Sequence, residues 1–442
     1  MRRGIALLLS FFFMMSQVQA YQLIMPTERK NCTTNDYAFL YGKAKSAEAL
    51  TINGHSVYIA PNGAFAHSVK LHDGENRVII RTLYGLMIYK YFKTTPARQE
   101  IAVENMEFTK AYVNHDNTPL RSEPIDAGLN RIGHLFGGTH IVVNGSKGSF
   151  YRVFLSKDKE AWIAKKDVTL TDEEFYPAEF INMDSERFKN AMIQTITFSK
   201  KLPYTVEDGE KEMIFRVYNP ELSEESVYNL NIPKPEKYAY NITLDEGKYT
   251  FKVRKLTENI KEAVVVIDAG HGGSEKGAIG CLGDEEKDIN LQIANQVAAL
   301  LKKHDINVVM TRECDANLAL EDRVNIAKEN FADVFVSIHL NSIGDVPMDI
   351  HKKRGTSVYY FNNNSKALAE ILERTVTRSA GTREDGVQTG SFAVIRPTEY
   401  AGVLVEAAYM TNPIDSTLYT NDKWIHKAAK GISDGIIQYL KK

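Results

Sequence analysis

Four side chains in the last two-fifths of this 442-residue sequence have the types and places that metal-assisted hydrolysis needs. His271 follows the apolar run Val264-Val265-Val266-Ile267, in the string Asp268-Ala269-Gly270-His271-Gly272-Gly273. Glu286 stands at the front of a helical stretch. His339 follows Val334-Phe335-Val336-Ser337-Ile338, and Glu406 follows Val403-Leu404-Val405. Two imidazoles and one carboxylate make a typical catalytic zinc shell, with a fourth position for water. Zinc brings the pKa of that water toward about 7. A carboxylate off the metal can take the proton and pass it on, and Glu406 fits that part. The competing reading is bland. A histidine at a strand end is more often a satisfied core or surface residue, and a glutamate opening a helix usually answers the macrodipole. Glu285 and Glu286 are adjacent, so spacing leaves open which of them would bind. Asp284 reads as the N-cap. The glycines beside His271 let backbone approach metal and substrate closely.

The elements that must position these groups begin at Ala263, where short buried runs start to alternate with helical patterns. Val264–Ile267, Val308–Met310, Val334–Ile338, Ser357–Tyr360 and Val403–Val405 read as strands. Asp288–Lys303, Leu320–Lys328, Lys366–Arg378 and Lys423–Leu440 read as helices. In the first of these, Ile289, Ile293, Val297 and Leu300 share one stripe. The expected fold for residues 259–442 is an α/β domain with a mostly parallel twisted sheet flanked by helices. In such sheets ligands bind outside the carboxyl ends of the strands. Three of the four groups stand there, and the fourth opens the helix after the first strand, so all four can converge on one crevice.

The first half reads as all-β, so the chain is multidomain, as its length also suggests at about 150 residues per domain. Residues 1–20 read as a signal peptide: Arg2 and Arg3, an apolar stretch from Ile5 to Met15, and a small-residue cleavage site at Val18-Gln19-Ala20. No later segment approaches a membrane span, so an exported protein in the periplasm, cell envelope or medium is expected. Residues 21–100 carry short alternating strands separated by Asn53-Gly54, Asn62-Gly63 and Asp73-Gly74. This resembles a bacterial immunoglobulin-like β-sandwich. In residues 101–172 the order Leu120–Pro124, Gly137-Gly138, Ile141–Val143, Phe150–Val153, Ala161–Ile163 resembles the SH3-like β-barrel often attached to cell-wall enzymes. Residues 173–258 form a further β-rich block, a candidate wall-targeting unit, with a hairpin that turns at Asp245-Glu246-Gly247. Composition is ordinary for globular protein, 43% hydrophobic and 25% charged. The formal charge of −2 lacks the basic excess of a nucleic-acid binder. Cys32, Cys281 and Cys314 are too few for a disulfide scaffold. Cys281 has no motif around it that would activate a thiol.

Residues 263–442 resemble the catalytic domain of zinc-dependent N-acetylmuramoyl-L-alanine amidases. The likeness rests on Ile267–Gly273, Glu286-Lys287-Asp288-Ile289-Asn290-Leu291, Thr311-Arg312, Arg323, Ser337–Asn341 and Val405–Asn412, in collinear order. The resemblance implies that His271, Glu286 and His339 bind one Zn2+ and that Glu406 is catalytic, which selects Glu286 over Glu285. It further implies hydrolysis of the amide between N-acetylmuramic acid and L-alanine in peptidoglycan, for wall remodelling or daughter-cell separation. Asn341 and Arg323 are candidate substrate contacts, although Asn341 could equally serve a strand-end hydrogen bond and Arg323 could tie helix to sheet. Some relatives carry a helical plug between Asn341 and Ser357. The connection here is too short for one, so a constitutively open site needing no activator is expected. The alternative is a catalytically silent peptidoglycan-binding or regulatory protein on the same fold, which would usually lack one of the four groups.

Overall fold

The computed structural model describes residues 21–441 except 46–48, 84, 97–100, 175, 221–226 and 344–352. The expected signal peptide and most of the short connection before Ser357 lie outside the described residues. Among the described residues no helix is long and apolar enough to cross a membrane.

From Val264 onward the apolar runs assemble one six-stranded sheet. Its strands are β1 (Val264–Ala269), β2 (Asn307–Met310), β3 (Val334–Asn341), β4 (Thr356–Tyr360), β5 (Glu384–Thr389) and β6 (Ala401–Tyr409), in the order β2-β1-β3-β6-β4-β5. β1 pairs in parallel with β2 and β3, as do β3 with β6 and β4 with β5; β4 runs antiparallel to β6. Among the described residues five helices accompany it: α1 (Glu286–Lys302), α2 (Leu320–Glu329), α3 (Lys366–Ala380), the short α4 (Ser416–Tyr419) and α5 (Asp422–Lys441). Val265, Ile267, Val336, Val403 and Val405 meet the stripes of α1, α3 and α5, including Ile293, Val297, Leu372, Val376, Ile432 and Ile436. Val266, Phe335 and Leu404 point the other way, toward Ala327 of α2 and toward Ile395 and Tyr400. Each such aliphatic side chain, fully buried, contributes about 1.5–3 kcal/mol, so apolar burial on both faces fixes the sheet between its helices.

Two local readings need correction. α1 begins at Glu286, with Glu285 in the cap position and no side-chain cap, so Asp284 is not an N-cap. The reason is that backbone already answers the first turn: Glu286 N–H donates to Ala278 O (3.0 Å) and Lys287 N–H to Lys276 O (3.1 Å). β5 has no apolar run to announce it. Its sequence Glu-Asp-Gly-Val-Gln-Thr is polar, as befits an edge strand.

Residues 21–93 fold as a three-stranded and a five-stranded sheet enclosing Leu40, Ile52, Phe65, Val78 and Ile80. Asn53 (φ 49°) and Gly54 (φ 84°) form the tight turn between Thr51–Ile52 and His55–Ser56. A seven-stranded antiparallel sheet spans Glu104–Val113 to Val168–Thr171. Four- and three-stranded sheets follow up to Lys255, including the expected hairpin Tyr238–Asp245/Lys248–Lys255. One apolar cluster runs from Ala111 through Ala161, Ile163 and Phe215 to Val253, so these last two blocks share a core.

The β blocks also touch the α/β domain. Tyr240 N–H donates to Thr398 O (2.8 Å), and Arg254 pairs with Asp333 (2.8 Å). Tyr41, Ala64 and Ala66 pack on Cys281, Ile343 and Tyr409.

Candidate metal centre

Alternation along the strands decides which side chains meet. Asp268 lies two residues beyond Val266, Ser337 and His339 lie two and four beyond Phe335, and Glu406 lies two beyond Leu404. All four therefore project to the α2 face. Parallel register sets His339 beside Glu406 and Asp268 beside Ser337. His271 follows β1 in a left-handed conformation, φ 59°, uncommon for a residue with a side chain.

The atoms that could hold a metal on His271, Glu286 and His339 all lie within 4.8 Å of one another. Glu286 is the centre of the group. Its Oε1 is 2.8 Å from His339 Nδ1 and accepts from Leu340 N–H and Asn290 Nδ2 (both 3.2 Å). Its Oε2 is 3.2 Å from His271 Nε2 and accepts from Ala278 N–H (2.7 Å). Burial alone would raise the Glu286 pKa, yet the hydrogen bonds from His271 and His339 hold it below the usual carboxylate range. The two imidazole rings stand edge to face, 4.8 Å between centroids. Glu285 points elsewhere, to Lys276 (2.6 Å) and Lys287 (3.5 Å). Two imidazoles and a buried, ionised carboxylate are the donor set that suits zinc.

Glu406 has a buried Oε2 with no hydrogen-bond partner. Burial, and then the charge of Glu286, raise its pKa well above the ordinary value. Asn341 closes β3; its Oδ1 accepts from Ser342 N–H (2.8 Å), and its side chain stands near the Tyr359 hydroxyl. Arg323 is placed differently from a substrate contact. It is 3% exposed; Nη1 donates to Asp268 Oδ1 (2.6 Å) and Ala269 O (2.8 Å), and Nη2 to His271 O (2.9 Å). Buried and tied in this way, it positions the backbone that carries His271. Cys281 is buried, and burial pushes its thiol up to about 12, consistent with an inert residue.

Sequence reasoning assigns Asp268 no role. It is 1% exposed and accepts from Thr311 Oγ1 (2.6 Å), Arg323 Nη1 (2.6 Å) and Ser337 Oγ (2.7 Å). The signal that could have found it is an acid at the end of an otherwise apolar strand, which burial makes costly unless it is paired. Gly277 carries no sequence signal of its own. At φ 69°, a Cβ there would lie 2.5 Å from Glu286 Oε2 and 2.6 Å from His271 Cδ2. Gly277→Ala is expected to weaken metal retention by roughly 10–100-fold, the range for disturbed ligand supports. Metal analysis after dialysis against graded chelator reads this, and unchanged retention would show that the loop yields without moving the ligands.

The same stretch of chain matches known proteins. The family model described as Amidase_3, N-acetylmuramoyl-L-alanine amidase, matches residues 265–438. The chain is 39% identical over 189 residues to the uncharacterized protein YqiI of Bacillus subtilis (strain 168), covering 42% of this chain and 88% of that protein. It is 31% identical over 224 residues to the N-acetylmuramoyl-L-alanine amidase AmiA of Escherichia coli (strain K12), covering 40% of this chain and 76% of that one. Among solved structures it is similar to the catalytic domain of CwlV, an N-acetylmuramoyl-L-alanine amidase from Bacillus (Paenibacillus) polymyxa var. colistinus. That match has 38% identity and a TM-score of 0.38, and covers 40% of this chain and 98% of that one.

Proposed function

The chain belongs to the N-acetylmuramoyl-L-alanine amidase family through residues 265–438, and on that premise we propose that it hydrolyses the amide between N-acetylmuramic acid and the L-alanine of the peptidoglycan stem peptide, with zinc held by His271, Glu286 and His339. The observation that carries this reading is the convergence of those three ligating groups within 4.8 Å, beside a second acid, Glu406, on the neighbouring strand. A zinc ion held there would supply Lewis acidity, lowering the pKa of a bound water toward neutrality and polarising a carbonyl. Glu286 brings a fixed negative charge, and its backbone and Asn290 donors hold it in place. Glu406 takes the proton from water and delivers it to the leaving nitrogen, from its place beside His339 on the neighbouring strand. Asn341 offers its side-chain amide to the substrate, and Arg323 keeps the His271 backbone in position.

The β blocks fit an exported wall enzyme. We read residues 21–100 as an immunoglobulin-like sandwich, 101–172 as an SH3-like barrel and 173–258 as a wall-targeting unit, ahead of the amidase domain at 259–442 with its twisted sheet. The protein would then act in the periplasm or cell envelope, or outside the cell.

The test is a digestion of purified peptidoglycan by the mature protein, followed by chromatography and mass analysis. Intact stem peptides with a new L-alanine amino terminus are expected, together with loss of activity on chelation and its return with zinc. Cleavage inside the peptide would make the protein a peptidase, and binding without product would make it a silent wall-binding protein. His271→Ala is expected to lose the metal and all turnover; full zinc occupancy in that variant would remove His271 from the ligand set.

A further inference from the structure

The second β block meets the α/β domain at a seam rich in cationic groups. Arg131 and His134 lie on the strand Arg131–Leu135, and Ser391 and Arg396 flank the short turn Ala393–Ile395 between β5 and β6. The two sides touch: a Cβ on Gly128 would lie 2.7 Å from Ser391 Cβ. Arg396 Nη1 donates to Ser391 O (3.0 Å), and Arg131 Nη1 lies 3.5 Å from His134 Nε2. Asp126, the acid that acts on Arg131, is already bonded to Arg121. Burial, and then repulsion from Arg131, lower the Arg396 pKa; burial and the neighbouring arginines hold His134 at about 4, neutral at physiological pH. Two polar atoms here are buried without a partner, Arg131 Nε and Ser391 Oγ. Unpaired buried donors beside uncompensated cations are costly unless an anion completes them.

The seam adjoins the reaction centre. Gly390 N–H donates to Tyr360 O (2.9 Å), and Phe392, 40% exposed, stands edge-on to Tyr359 at 5.3 Å. Tyr359 in turn stands near Asn341 and lies within the field of Glu406. An extended peptide advances about 3.5 Å per residue, so a stem peptide directed along this face would reach the aromatic pair within a few residues. A stem peptide that is not cross-linked through its carboxyl end presents a carboxylate, and planar guanidinium groups match that shape.

We propose that Arg131, Arg396 and Ser391 form a carboxylate subsite for the stem peptide, shared between the second β block and the amidase domain. The inference rests on the amidase reading. Its test uses the full-length protein and two probes, an N-acetylmuramoyl peptide with a free carboxyl terminus and the same peptide as its amide. Wild type should hydrolyse the free acid with a KM on the order of tenfold lower, as for loss of a charge-assisted hydrogen bond, with kcat little changed. Arg396→Gln should raise KM for the acid to that of the amide while leaving the amide unaffected. Hydrolysis of neither probe by wild type would count against the amidase reading. Equal KM values for the two in wild type would overturn the subsite alone, with no appeal to a variant's folding.

Discussion

Glu406→Gln is expected to keep its metal and its fold while turnover falls by about 10²–10⁴-fold, the usual scale of a lost general acid–base. The substitution preserves shape, so β6 and its register with His339 remain. On the proposed mechanism, what it removes is a proton carrier. Burial and the Glu286 charge both push the Glu406 carboxyl upward. Three measurements on the same preparation decide the matter: zinc content, thermal midpoint and rate of stem-peptide release. Turnover within a few-fold of wild type would assign the proton transfer to another group. Loss of zinc would make Glu406 part of the metal shell.

The parts of this fold that are legible in the sequence are those where one residue's environment follows from its neighbours. Val264–Ile267 and Val334–Ile338 are apolar on both faces, so they have to be central strands with layers on either side. His339 and Glu406 follow such runs and therefore stand at strand ends. β5 is not legible, because an edge strand with Asp385 and Gly386 needs no buried face. The capping of α1 departs from the sequence expectation because its first donors are satisfied by Lys276 and Ala278, backbone brought there by the preceding loop. Arg323 and Asp268 are 55 residues apart in sequence. Only the packing of α2 on the sheet brings them together, and no local period encodes it. The shared core of the second and third β blocks is likewise a long-range fact, since Ala111 and Val253 meet the same cluster from opposite ends of the segment.

Asp268→Ala should destabilise the α/β domain by about 3–5 kcal/mol, the cost of leaving one partner of a buried ion pair uncompensated. Asp268 and Arg323 are both nearly inaccessible to water, so solvent cannot take the missing partner's place. The same carboxylate also accepts from Thr311 and Ser337, and these hydroxyls lose their acceptor as well. Arg323 would keep its bonds to Ala269 O and His271 O but would hold them as an unpaired buried cation. A double variant separates charge from packing. Replacing the pair with apolar groups, Asp268→Ala with Arg323→Met, should recover much of the lost stability, because no buried charge is left behind. Metal retention should not recover with it, since the His271 carbonyl has lost its tie to α2. Chemical denaturation and chelator titration of both variants read the two effects apart. A single variant within about 1 kcal/mol of wild type, well short of the cost of an unpaired buried charge, would mean that water or another group reaches Arg323, and the assignment of Asp268 as its buried counter-charge would fail.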